Sequence, residues 1–274
     1  MRLDKRKSQS AYRRTLSDRE ANILADLSYK GNIIFSPDDL RIYVSNPKSI
    51  IDSLIRKKWI LKIKKEKYLI VPLEAGKRGA EDYTVHSFVI ASVLANPYYI
   101  GYISALNFHG LTDRTPSAVY IVTQEPHESR TILDTKFKFV TIVPRKFFGI
   151  NEIKIENRKV SVSSKEKTIV DCLDRPEYCE GIDEVARAIF FGRKELDFLE
   201  VVSLSKKIGN SAALKRLGYI SERLNITQLK RLTSHLKVAS GYSLLDRSVT
   251  RKGKIVERWG IIANASIDPE RWMQ

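Results

Sequence analysis

Between Ser17 and Leu27 the apolar residues Ala21, Ile23, Leu24, Ala25 and Leu27 recur at helical spacing. Ser17-Asp18-Arg19-Glu20 precede them as a capping box, in which Ser17 caps the first amides and Glu20 reaches back. This predicts a helix running to Gly31. Ser36-Pro37-Asp38-Asp39 predicts the start of a second helix, with a cap, an early proline and acids at the positive end of the dipole. Asn46-Pro47 starts a third in the same way. There Ile50, Ile51, Leu54 and Ile55 form one apolar stripe. The opposite face presents Ser49, Asp52, Ser53 and Arg56, with Lys48 and Lys57 at its margins. The period then drops to two. Leu61 and Ile63 alternate with Lys62 and Lys64, and Lys64-Lys65-Glu66-Lys67 turns into Tyr68-Leu69-Ile70-Val71, ended by Pro72.

Helices followed by a hairpin have the layout of a winged helix-turn-helix, which sets its last helix in the DNA major groove and its hairpin against phosphates. Charge changes the picture in the same direction. From Arg41 to Lys67 nine Lys/Arg face two acids, Asp52 and Glu66, within a chain of net charge +16. Such a concentration suits a polyanion. The expected DNA-binding residues are therefore Lys48, Ser49, Asp52, Ser53, Arg56 and Lys57 on the helix and Lys62, Lys64, Lys65 and Lys67 on the hairpin. The plainer alternative is a solvated helix face beside an edge hairpin that uses lysine against aggregation. It accounts for single residues better than for the set.

Glu74 to Asp82 has two glycines, mixed charge and no apolar periodicity, and reads as a linker. The expected domains are 1–73, linker 74–82 and 83–274. Beyond the linker, Phe88 to Ala95 predicts a buried helix stopped by Asn96-Pro97, and Ser104 to Leu111 a short one capped at Gly110. Strands are expected over 118–123, 136–143, 152–156 and 159–163, the last two joined at Asn157-Arg158. Helices follow over 165–173, 181–191, 195–208, 211–224 and 226–237, and Tyr242–Leu245 with Ile255–Ile262 suggest a closing hairpin. The predicted fold class is α+β, a winged helix-turn-helix followed by a larger mixed domain with a helix-rich second half.

No apolar run reaches the length of a membrane helix, and the basic first ten residues lack a signal-peptide core and read as a flexible arm. Cys172 and Cys179 have no partners at zinc spacing and read as reduced thiols of a cytoplasmic protein. No metal or other cofactor is expected. His109 sits near a helix end beside Gly110, where capping or packing is the ordinary role. Asp171 and Cys172 lie among Ile169, Val170 and Leu173, which makes a core thiol and a hydrogen-bonded acid rather than a nucleophile pair. There is no Gly-rich phosphate loop and no G-x-S-x-G elbow. The reading is not an enzyme.

Three segments are similar to those of a known family. Tyr102-Ile103-Ser104-Ala105-Leu106-Asn107-Phe108-His109-Gly110-Leu111-Thr112 resembles the Y-x-S-A-L-x-x-H-G-L-T stretch of AbiEi-type antitoxins, regulators of abortive-infection phage-defence operons. Glu166-Lys167-Thr168-Ile169-Val170-Asp171-Cys172-Leu173, with Arg175-Pro176 and Gly181-Ile182, resembles its E-K-T-L-x-D-C-L-x-R-P block, with Glu180 where a glycine is frequent. Arg216-Leu217-Gly218-Tyr219 resembles part of its R-L-G-Y-x-L-E helix. The resemblance implies a repressor that autoregulates its operon through inverted-repeat operators in double-stranded DNA, with room for oligomers on DNA. It further implies a C-terminal antitoxin domain against a nucleotidyltransferase-like toxin, with Arg216, Gly218 and Tyr219 as the antitoxin surface. The alternative is a winged-helix regulator with a ligand- or partner-sensing C-terminal domain and no toxin.

Overall fold

A computed structural model describes residues 12–79 and 83–273, and the fold is α+β. The expected N-terminal arm, residues 1–10, lies outside the described residues. The chain forms two compact units. The first takes in residues up to Leu94 together with 131–135 and 154–158; the second takes in the rest.

The first unit opens with α1 (Asp18–Tyr29), which carries the capping box the sequence predicts. β1 (Ile34–Phe35) follows, then α2 (Pro47–Arg56), β2 (Ile60–Lys64) and β3 (Lys67–Ile70). The strand order is β1-β3-β2, with Ile60 opposite Ile70 and Lys64 opposite Lys67. Ile23, Leu24 and Leu27 of α1 pack with Ile51 and Leu54 of α2 and with Phe35, Ile60 and Ile70 from the sheet. The helix expected from Ser36 is only a single 3-10 turn, Asp38–Leu40. Asp39 bends back to the Ser36 amide and hydroxyl, both at 2.6 Å. The chain then goes on through a turn over 41–43, in which the Leu40 carbonyl accepts the Val44 amide at 3.1 Å.

The first part of the expected linker is folded. Ala75 is buried, and the Lys77 carbonyl accepts the Arg13 amide at 2.8 Å. Residues 80–82 lie outside the described residues, and the first unit continues beyond them through α3 (Ser87–Ala91) to Leu94. This helix is shorter than expected. Ser92 closes its end by donating to the Val89 carbonyl at 2.7 Å, a local bond that competes with continuation.

After Leu94 the chain runs through β4 (Tyr98–Ile100), α4 (Tyr102–Phe108), β5 (Val119–Thr123), β6 (Arg130–Ile132), β7 (Thr135–Thr141), β8 (Ile150–Ile155) and β9 (Arg158–Ser163), which belong to the second unit except for residues 131–135 and 154–158. They build a sheet of order β6-β7-β5-β4-β9-β8, in which β5 runs parallel to β7 and β4 parallel to β9. The β8–β9 turn falls at Glu156 and Asn157, both at positive φ, one residue earlier than expected. The helices are α5 (Lys165–Asp174), α6 (Ile182–Phe191), α7 (Phe198–Lys207), α8 (Ser211–Leu224) and α9 (Thr227–Thr233). α5 is the hub: it is buried from Lys167 to Asp174 and packs against α4, α6, α7 and α8.

The closing hairpin differs from expectation. β10 (Ser243–Leu244) runs parallel to β12 (Ile261–Ala263), and the antiparallel partner of β12 is β11 (Lys254–Val256). The apolar run Ile255–Ile262 is broken by a 3-10 turn ending at Gly260, whose φ of 57° reverses the chain inside what looks like one strand.

Candidate nucleic-acid interface

Asn46 caps α2 through the Ser49 amide and Pro47 occupies its first turn, so the local chemistry fixes where this helix begins. Ile51 and Leu54 are buried beneath it. Lys48, Ser49, Asp52 and Arg56 are exposed on its outer face. That face borders an open depression of about 380 Å³ lined by Asn46, Lys48, Ser49, Asp52, Ser53 and Arg56. The hairpin adds Lys62 and Lys65, both exposed, and Lys64 and Lys67, half-buried. A register shift between Lys62 and Lys64 bends β2 just before its tip, where Glu66 takes a φ of 57°. The tip thus sets Lys64 and Lys67 opposite each other with Lys65 and Glu66 between.

Two expected DNA contacts have another occupation. Ser53 donates to Glu20 Oε1 at 2.7 Å and Lys57 Nζ to Glu20 Oε2 at 2.5 Å. Both side chains are half-buried, and Glu20 is buried. The same carboxylate accepts the Ser17 amide at 2.8 Å. Burial pushes the Glu20 carboxyl up, but the Lys57 ammonium, the Ser17 amide and the two serine hydroxyls outweigh it and hold the acid at about 2. The outer face of α2 is therefore narrower than its helical wheel implies: Ser53 and Lys57 clamp α2 to the start of α1. The sequence held a signal for this in Glu20, whose capping-box role accounts for only part of its bonding.

Of the three residues expected on the antitoxin surface, Arg216 and Gly218 are buried and Tyr219 is half-buried. Arg216 is 1% exposed, and its guanidinium donates to the carbonyls of Leu173, Asp174, Leu244 and Leu245. Burial lowers its pKa to about 10 despite nearby Glu177 and Asp174. Gly218 is buried against Trp259, where a Cβ would come within 2.1 Å of the indole ring. Tyr219 is half-buried and packs on the core. These residues join α8 to its neighbours.

Of the other singled-out residues, His109 is half-buried and Asp171, Cys172 and Cys179 are buried. His109 Nε2 donates to the Ser163 carbonyl at 2.7 Å, and burial lowers its proton affinity. Cys172 and Cys179 are buried free thiols, both pushed up by burial. Asp171 accepts from Lys167 Nζ and from the Tyr99 hydroxyl, the latter at 2.8 Å, and Lys167 Nζ also reaches the Tyr99 oxygen at 3.1 Å. Among the described residues no group of three or more His, Cys, Asp or Glu is placed to hold a metal ion, and no helix is long and apolar enough to cross a membrane.

No protein-family model matches the chain, and no curated protein does. Among solved structures, the RV2827C protein from Mycobacterium tuberculosis is similar over most of both chains. The match covers 90% of this chain and 92% of that one, at 12% identity and a TM-score of 0.67. At that identity the likeness concerns the fold alone.

Proposed function

We propose that α1, the 3-10 turn, α2 and the β2–β3 hairpin form a winged helix-turn-helix and that the chain is a DNA-binding transcriptional repressor of its own operon. The observation that carries this reading is the exposure of Lys48, Ser49 and Arg56 on the outer face of α2 in the same unit as a lysine-edged hairpin. Exposed donors on a helix suit base edges, and lysines on a ribbon suit phosphates. Asp52, at the centre of that face, repels phosphate and restricts how the helix can enter a groove; a carboxylate there can accept from a cytosine amino group.

The antitoxin role, directed at a nucleotidyltransferase-like toxin, rests on the resemblance of the three segments in the second unit. Double-stranded DNA and that toxin are the proposed partners.

The test is a gel-shift series with the intact chain on DNA from upstream of its own gene and on unrelated DNA. Lys62, Lys64, Lys65 and Lys67 are changed together to Ala. The variant should bind every sequence more weakly, and the slope of log affinity against log salt should shrink by about one for each phosphate the hairpin no longer neutralises. An unchanged slope removes the hairpin from the interface. Growth rescue on co-expression with the toxin encoded beside the gene tests the antitoxin half; a folded chain that does not protect the cells overturns it.

A further inference from the structure

The parallel strands β5 and β7 end side by side, with Thr123 opposite Thr141. Just past their carboxyl ends lies a pocket of about 400 Å³, lined among others by Gln124, Thr141, Val143, Arg145, Lys146 and Arg175. Carboxyl ends of parallel strands are where open sheets commonly hold ligands, and the volume falls in the range of small-molecule sites. The pocket is cationic. Lys146 is committed to Asp174, with Nζ 2.5 Å from Oδ2. Arg145 and Arg175 have no carboxylate within ion-pair distance among the described residues. Arg175 is held instead over the Tyr178 ring at 5.9 Å. Arg145 lies along the α7–α8 turn, close enough that a Cβ on Gly209 would come within 3.0 Å of its Nη1. Two guanidinium groups without a carboxylate at ion-pair distance, Arg175 with Asp174 and Tyr178 close by, join a hydroxyl from Thr141 and an amide from Gln124 to match the donors that phosphate oxygens accept. Val143, half-exposed at the rim, adds apolar surface for the rest of a ligand.

We propose that this pocket binds a phosphate monoester of nucleoside-monophosphate size, with Arg145 and Arg175 on the phosphate. The site lies within the second unit and does not depend on the DNA-binding reading.

Isothermal titration of the intact chain with adenosine monophosphate tests it, with inorganic phosphate and adenosine as separate arms. Arg145 is exposed, so Arg145→Glu should leave the melting temperature in place while weakening nucleotide binding by roughly tenfold or more. The hairpin variant lacking Lys62, Lys64, Lys65 and Lys67 should bind the nucleotide within about twofold of the parent. Inorganic phosphate binding as tightly as the nucleotide, with the same Arg145 dependence, supports the anion site and reduces its ligand to phosphate. The proposal is overturned if neither phosphate compound saturates the protein up to about 10 mM. It is equally overturned if Arg145→Glu has no effect, if adenosine binds as well as its phosphate, or if the hairpin variant abolishes the signal, which would assign the binding to the basic first unit.

Discussion

Glu20 ties α2 to the start of α1 through Ser53 and Lys57, and its contribution can be worked out from its acidity. Its carboxyl is held at about 2 against an ordinary 4.5. At roughly 1.4 kcal/mol per tenfold change in proton affinity, this depression is worth about 3 kcal/mol at neutral pH. Folding lowers the acid's pKa, so its contribution is complete above 4.5 and is lost as pH falls toward 2. Glu20→Gln removes the charge while keeping the shape. It should destabilise the first unit by about 3 kcal/mol at pH 7, and the deficit should shrink to roughly half of that at pH 3. Comparing variant and parent at each pH cancels the titration of every other carboxylate. The assay is urea unfolding of the intact chain, with pulsed amide exchange reading peptides from α1 and α2. Parent and variant within about 0.5 kcal/mol of each other at pH 7, or an equal gap at pH 7 and pH 3, would refute the clamp, since ordinary surface changes fall within that limit.

Arg56→Ala should cost about 1–3 kcal/mol on the operator and little on unrelated DNA, measured by competition gel shift; equal losses would make Arg56 a phosphate contact. Gly218→Ala should lower stability by about 1–3 kcal/mol in a denaturant melt, because the added methyl overlaps the buried Trp259 ring; a neutral result would mean that the ring moves freely. Lys167→Met should cost about 3–5 kcal/mol by leaving Asp171 buried without its counter-ion, whereas Lys167→Met with Asp171→Leu should recover much of the loss. Additive losses in the double variant would show that the pair is not coupled.

Much of the first unit was legible because its signals are local. A capping box at Ser17, an Asn-Pro start at 46–47 and an abrupt change from period 3.6 to period two are set by neighbouring residues, and α1, α2 and the hairpin follow them. What escaped was set by distant partners. β1 and β4 are too short to show an alternation and exist because β3 and β5 pair with them. Ser53 and Lys57 are polar and sit away from the apolar stripe, so a helical wheel sends them to solvent; only the approach of α1 turns them inward to Glu20. Arg216 misleads for the same reason. A guanidinium looks like a surface group until four carbonyls from two other segments converge on it. Glu180 shows a local signal hidden by its residue type, since it holds a φ of 60° where the resembled segment often has glycine.

The three segments that carry the antitoxin resemblance meet inside the second unit. His109, from the first, bonds the Ser163 carbonyl at the entry to α5. Thr112, at its end, donates to Glu184 of α6 at 2.5 Å. Arg216, from the third, holds the carbonyls of Leu173 and Asp174 at the end of the second. These residues occur together because each satisfies a buried polar group on another segment, and losing one leaves its partner unpaired at a cost of about 1–3 kcal/mol. In this chain the three segments therefore serve packing. A buried arginine or glycine touches no partner, so toxin recognition, if the chain performs it, belongs to exposed residues that these segments hold in place. Rescue assays on variants of the segments themselves would report the melting of the second unit.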